Sequence, residues 1–161
     1  MLRNMTAIYL TAGERILLLY RRGSRVVPDC YTGTAGGHFE PEELNDPLAC
    51  VMRELREETG LTANDITTPA LRYVTLRCTG GEIRQNYYFI AELRDPDRMV
   101  ISNEGTILAC LPEEALALKM PHTAKFMYEH WLHIGRYDDA LYCGTAAAED
   151  VIFTKLSEES L

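Results

Sequence analysis

The chain has 161 residues, of which 47% are hydrophobic and 25% charged, and carries a net charge of −8. It is long enough for one domain with a sizeable core, and its composition is ordinary for a globular protein. The acidic balance excludes broad binding to nucleic-acid phosphates, which needs a basic surface, and a phosphate-bearing small ligand would need local cations.

The opening MLRNMTAIYL lacks the roughly 7–15-residue apolar core of a signal peptide, and no apolar run approaches the ~20 residues of a membrane span. The five cysteines, Cys30, Cys50, Cys78, Cys110 and Cys143, are odd in number, widely spaced and without a CxxC pair. They are read as reduced thiols of a cytoplasmic protein, most of them buried as small hydrophobes, rather than as a disulfide scaffold or zinc site.

TAIYL (6–10) and RILLLY (15–20) predict a hairpin or two neighbouring strands around TAGE. RRGSR (21–25) is a basic cluster, and the Gly- and Pro-rich stretch 26–43 predicts loop with a short strand near 31–35. A helix over 47–59 is well signalled, with Asp46 as N-cap, Pro47 at N1 and Gly60 at C′. Leu48, Met52 and Leu55, with Val51 beside them, predict its apolar stripe and leave the glutamates off the buried face.

RYVTLRCT (72–79) and EIRQNYYFIAEL (82–93) flank Gly80–Gly81, a two-residue hairpin signal. A short strand at 107–111, a short helix at 112–118 and a longer helix over 121–135 follow, the last with Met127, Trp131 and Ile134 on one face. His130 and His133 lie three apart there without an evident third ligand, so they read as ordinary helix positions. The tail predicts two strands, 140–146 and 150–156. The sum is an α/β or α+β sandwich, helices on a mixed sheet, in a single domain over 1–161.

RELREETG (53–60) sets Glu54, Glu57 and Glu58 at spacings of three and four near a helix C-terminus. Like charges there repel each other and the helix dipole. A solvated face stitched by Arg53–Glu57 would return only about 0.2–0.5 kcal/mol. Three carboxylates on one face instead suit Mg²⁺ or Mn²⁺, which would also supply the positive charge a pyrophosphate needs.

Gly37 to Leu61 resembles the Nudix box, G-x5-E-x7-R-E-U-x-E-E-x-G-U with U aliphatic. Gly37 and Glu43 match its first two fixed positions, and Arg53, Glu54, Leu55, Glu57, Glu58, Gly60 and Leu61 match the second half without a gap. Nine residues rather than seven separate Glu43 from Arg53, which places a two-residue insertion around 44–46, where loops absorb length cheaply.

The resemblance implies a Nudix-type α/β/α sandwich and metal-dependent hydrolysis of a nucleoside diphosphate linked to another moiety. It implies Glu54, Glu57 and Glu58 as metal ligands, joined by a carbonyl of Gly36 or Gly37, with Arg53 orienting the carboxylates. Glu57 is its general base, Glu104 of the SNEG loop a further ligand or base, and Arg21, Arg22 and Arg25 the cations for substrate phosphates. The partner is a small nucleotide rather than polymeric nucleic acid or membrane, and a homodimer is common in the family. An oxidised nucleoside triphosphate such as 8-oxo-dGTP is the first substrate expectation. ADP-ribose or a dinucleoside polyphosphate is the alternative, and a non-catalytic nucleotide-sensing module is another, because fold and box do not set the base pocket.

Overall fold

The computed structural model describes residues 1–23 and 28–157. The strands are β1 (Leu2–Ala12), β2 (Arg15–Arg21), β3 (Cys30–Thr32), β4 (Ala70–Thr79), β5 (Glu82–Glu92), β6 (Thr106–Cys110), β7 (Leu141–Ala146) and β8 (Val151–Leu156). The helices are α1 (Pro47–Thr59) and α2 (His122–His133), and 3-10 turns occupy Pro41–Glu43, Glu114–Ala117 and Gly135–Tyr137. The stretch 112–118 thus forms a 3-10 turn where a short helix is expected.

The strands form one mixed sheet in the order β3-β2-β1-β5-β4-β7-β8, with β6 also paired to β2. The β1–β5 and β4–β7 pairs are parallel and the other pairs antiparallel. Period-2 alternation splits the apolar residues between two faces. Ile8, Leu10, Leu17 and Phe89 pack with Val51 and Leu55 of α1. Tyr9, Ile16, Leu18, Tyr73 and Tyr88 pack with Met127, Tyr128 and Trp131 of α2. The result is an α/β/α sandwich.

β2 forks the sheet. Ile16–Tyr20 pairs with β6 along one edge, while the other edge meets β1 at Leu17 and β3 at Leu19–Arg21. The chain after β3 then crosses to β1, where Ala35 bridges Ile8 and His38 bridges Met5. Thr34, fully buried, closes the crotch: its hydroxyl donates to the Leu17 carbonyl at 2.7 Å and accepts from the Leu10 N–H at 3.0 Å. The fork sets the Gly36–Gly37 pair against the middle of the sheet.

Three expectations about burial change. The inward face of α1 carries Cys50, Val51, Leu55 and Glu58, while Leu48 is 41% exposed and Met52 only packs at the edge. The helix is turned so that Glu58 reaches the backbone of Gly36 and Cys50 lies beneath Thr6, so one glutamate is on the buried side. Met127 and Trp131 are buried as expected, but Ile134 lies beyond the last turn of α2 and is half exposed. All five cysteines are free, yet only Cys50 is buried; Cys78 is exposed on the hairpin and the other three are intermediate. Strand-end and turn positions leave a thiol at the rim of the core rather than inside it.

Candidate active site

α1 is fixed at both ends. The Asp46 carboxylate accepts the Ala49 N–H at 2.9 Å, and Gly60, at φ 75°, donates its N–H to the Arg56 carbonyl. Asn103 covers the last turn, with its N–H on the Glu58 carbonyl and its side-chain amide on the Glu57 carbonyl, both at 3.0 Å. These donors satisfy carbonyls that a helix end leaves open, and they dock the loop bearing Glu104 beside the box.

Arg53 is the hub of the carboxylates. It grips Glu43 bidentately, Nε to Oε1 at 2.7 Å and a terminal nitrogen to Oε2 at 2.9 Å. Its remaining N–H groups reach Glu54 at 3.0 Å, Glu57 at 3.1 Å and the His38 carbonyl at 3.0 Å. The Arg53 fork is the main cause that holds the Glu43 carboxyl down at about 2, and Glu43 in turn raises the Arg53 guanidinium still further. After the Pro41–Glu43 turn, Leu44–Asp46 leads into α1, and Glu43 lies on Arg53.

Glu58 turns the other way, into the sheet. It is 9% exposed and accepts the Gly36 N–H at 3.3 Å. Burial pushes its carboxyl up to about 7; Gly36 and Arg21 oppose the rise, and the neighbouring Glu54 and Glu104 add to it. Arg21 bonds Glu104 at 2.5 Å. The glycine pair is a steric requirement: a side chain at Gly36 would strike the Thr6 carbonyl, and one at Gly37 the Glu54 carboxylate. The Gly37 carbonyl accepts the Thr6 N–H at 2.8 Å and keeps one lone pair.

The expected convergence of three carboxylates does not occur. Glu54 and Glu57 point to Arg53 and Glu58 to Gly36, and among the described residues no group of three or more His, Cys, Asp or Glu side chains is gathered to hold a metal ion. In kind, the donors still fit one. Carboxylate oxygens and a glycine carbonyl are hard ligands, and a carboxylate raised chiefly by its burial lacks a full countercharge. Arg53 holds one oxygen of Glu54 and one of Glu57, which leaves the second oxygen of each for an ion.

A cleft of about 660 Å³ opens beside this site, within the range of ligand pockets. Glu58, Glu104, Gly36, Arg21 and Arg22 line one end, whereas Glu54 and Glu57 do not line it. Arg25 lies outside the described residues. A smaller hollow of about 350 Å³ beside α1 has Arg53 at its rim and no carboxylate.

The NUDIX domain family model matches residues 1–131. The chain belongs to the Nudix family. As a Nudix hydrolase it acts on phosphoric anhydride bonds, and the family acts on small nucleotides and generally uses divalent metal ions. No curated protein sequence matches the chain. Among solved structures, the MutT protein from Bacillus halodurans is 23% identical with a TM-score of 0.65, covering 95% of this chain and 97% of its own. The Ap4A hydrolase of C. elegans, in a binary complex, is 20% identical with a TM-score of 0.63 over 85% of this chain and 98% of its own. The dihydroneopterin triphosphate pyrophosphohydrolase of E. coli is 18% identical with a TM-score of 0.62 over 82% and 94%. At these identities the likeness establishes the Nudix fold.

The box gave no warning of four other cleft residues: Tyr9, Arg77, Arg84 and Asn86. One signal was present. A two-residue turn at Gly80–Gly81 dictates the register Thr79 with Glu82 and therefore Arg77 with Arg84, the pairing the sheet shows. Like charges directly opposite each other are unfavourable without a partner.

Proposed function

We propose that this Nudix domain, taken over 1–161, is a Mg²⁺- or Mn²⁺-dependent pyrophosphohydrolase that cleaves a nucleoside diphosphate linked to another moiety. The observation that carries the reading is the Arg53-centred carboxylate cluster, next to a buried Glu58 that faces a nucleotide-sized cleft. Glu54, Glu57 and Glu58, with the free lone pair of the Gly37 carbonyl and Glu104, would hold the cation. When bound, it would neutralise charge on the phosphoryl oxygens and acidify an attacking water.

The chain's own residues supply the rest. Arg53 keeps Glu54 and Glu57 oriented, as an outer-shell partner does for metal ligands. Arg21 and Arg22 border the acidic end of the cleft and meet the substrate phosphates, and the Gly36 backbone lets them approach closely. A water oxygen bonds to one phosphorus, the bond from that phosphorus to the bridging oxygen breaks, and the water's proton passes to a carboxylate. Glu57, 54% exposed at its side chain, is that base in this reading. Glu104 is the alternative, favoured by its place in the cleft lining.

The test is Mg²⁺-dependent product release across 8-oxo-dGTP, dGTP, ADP-ribose and a dinucleoside polyphosphate. Glu57→Gln, Glu58→Gln and Glu104→Gln run alongside. Loss of about 10²–10⁴-fold in kcat for the Glu57 variant with its pH–rate limb removed assigns the base. The same result at Glu104 moves the role there. No turnover of any nucleotide, with binding retained, would leave a sensing module instead. Sedimentation of the pure protein checks the homodimer common in the family.

A further inference from the structure

The cleft runs well past the residues that handle a pyrophosphate. Its floor follows one face of the sheet: Met5, Ala7 and Tyr9 alternate along β1, and Arg84, Asn86 and Tyr88 along β5. Gly36 sits beside β1 near Ala7, between the Ile8–Ala35 and Met5–His38 bridges. Arg84 is level with Arg3 of β1 and lies on the far side of that strand, and Arg77 is one strand further on. At the rise and spacing of a sheet, the arginine pair is roughly 15–20 Å from Gly36, Cα to Cα. A pyrophosphate alone does not span that length, and a nucleoside-sized unit does.

The far end is basic in an acidic chain. Arg77 and Arg84 face each other across strands, a pairing that costs stability unless something offsets it. Glu82 is shared between Arg84, at 2.7 Å, and Arg3, at 3.0 Å. Among the described residues Arg77 has no hydrogen-bond or ion-pair partner. Between the two ends Asn86, level with Met5, lines the cleft.

We propose that the substrate carries a second anionic group, a phosphate or carboxylate, at the end remote from the scissile anhydride, and that Arg77 with Arg84 binds it. This rests on the hydrolase reading for the other end of the cleft. The guanidinium fork matches both oxyanions bidentately. Asn86 then meets the polar unit between the two charged ends. A single arginine suffices to read the acceptor edge of guanine, so a facing pair with one shared carboxylate favours an anion over a neutral base.

The experiment compares two pairs of compounds, each differing by one anionic group. NADPH has a ribose phosphate that NADH lacks, and UDP-glucuronic acid has a carboxylate where UDP-glucose has a hydroxymethyl group. Hydrolysis is followed with Mg²⁺; where no anhydride is cleaved, the Kd by calorimetry is read instead, so failure of the hydrolase reading does not conceal the preference. The expected result is about a tenfold or greater advantage for the anionic member of one pair, and the pair that responds tells phosphate from carboxylate. Arg77→Gln removes that advantage and leaves the neutral member within about twofold, Arg77→Lys keeps part of it, and Arg98→Gln, at an ion pair with Asp65 outside the cleft, changes nothing. The proposal is overturned if no probe binds, if neither pair discriminates, if the advantage survives both Arg77→Gln and Arg84→Gln, or if Arg77 instead discriminates guanine from adenine among neutral compounds.

Discussion

Two arginines in this molecule look alike and do opposite things. Arg72 and Arg53 are both largely buried, with side chains 9% and 17% exposed, and both make several hydrogen bonds. Arg72 spends its donors on the carbonyls of Ala140, Gly135 and Asp138, with one ion pair to Asp138. It ties β4 to the segment that follows α2, and each acceptor is neutral except one. Arg53 meets Glu43, Glu54 and Glu57 at once. One guanidinium there faces three carboxylates, with buried Glu58 close by. The first cluster is balanced and holds the fold. The second carries surplus negative charge, the condition a cation-dependent site needs before the cation arrives.

Replacing each arginine breaks the comparison open. Arg72→Met removes the guanidinium from three carbonyls and from Asp138, which keeps Tyr142, Lys155 and the Ala140 N–H, and should cost about 3 kcal/mol of stability. For a chain of this size that is a fall in Tm of roughly 6–12 °C. Its kcat, measured well below that Tm, should stay close to the wild-type value. Arg53→Met leaves the buried Glu43 carboxylate unpaired and should cost stability of the same order, but with it about 10–100-fold in metal affinity or activity. An Arg72 variant as impaired in kcat as the Arg53 variant, or an unimpaired Arg53 variant, would erase the distinction.

A finer test uses Glu58. Its carboxyl is raised from 4.5 to about 7 in the folded protein, chiefly by burial. The native state therefore holds this proton more tightly than the unfolded chain does. Its contribution to stability is fully present below the unfolded value of 4.5 and is lost as pH rises through about 7. With EDTA present, the Tm of Glu58→Gln relative to wild type should rise between about pH 5 and about pH 8. Mg²⁺ at the higher pH should raise the wild-type Tm and leave the variant unchanged. A variant that tracks the wild type at every pH would mean that Glu58 titrates normally.

The smallest effect is expected where an arginine has neither role. Arg98→Gln removes an exposed ion pair to Asp65 and should stay within about 0.5 kcal/mol in denaturant unfolding, with normal activity.

The sequence by itself determined the local architecture. Asp46, Pro47 and Gly60 bound α1 because capping is decided by residues within one turn, and the Gly80–Gly81 turn fixes the register of β4 and β5 for the same reason. It also determined the box, because helical spacing alone brings Arg53 beside Glu57. What lies far apart in the chain had no such signal. That α1 is rolled to bury Glu58, that Asn103 docks Glu104 at its end, and that Arg72 serves a different segment were decided only by tertiary packing. The fork between β1 and β3 belongs in the same class, and with it the cleft and the distance from the glutamates to Arg77. These depend on which sheet edge each strand finds. That choice is made by burial summed over the whole sheet rather than by any short run of residues.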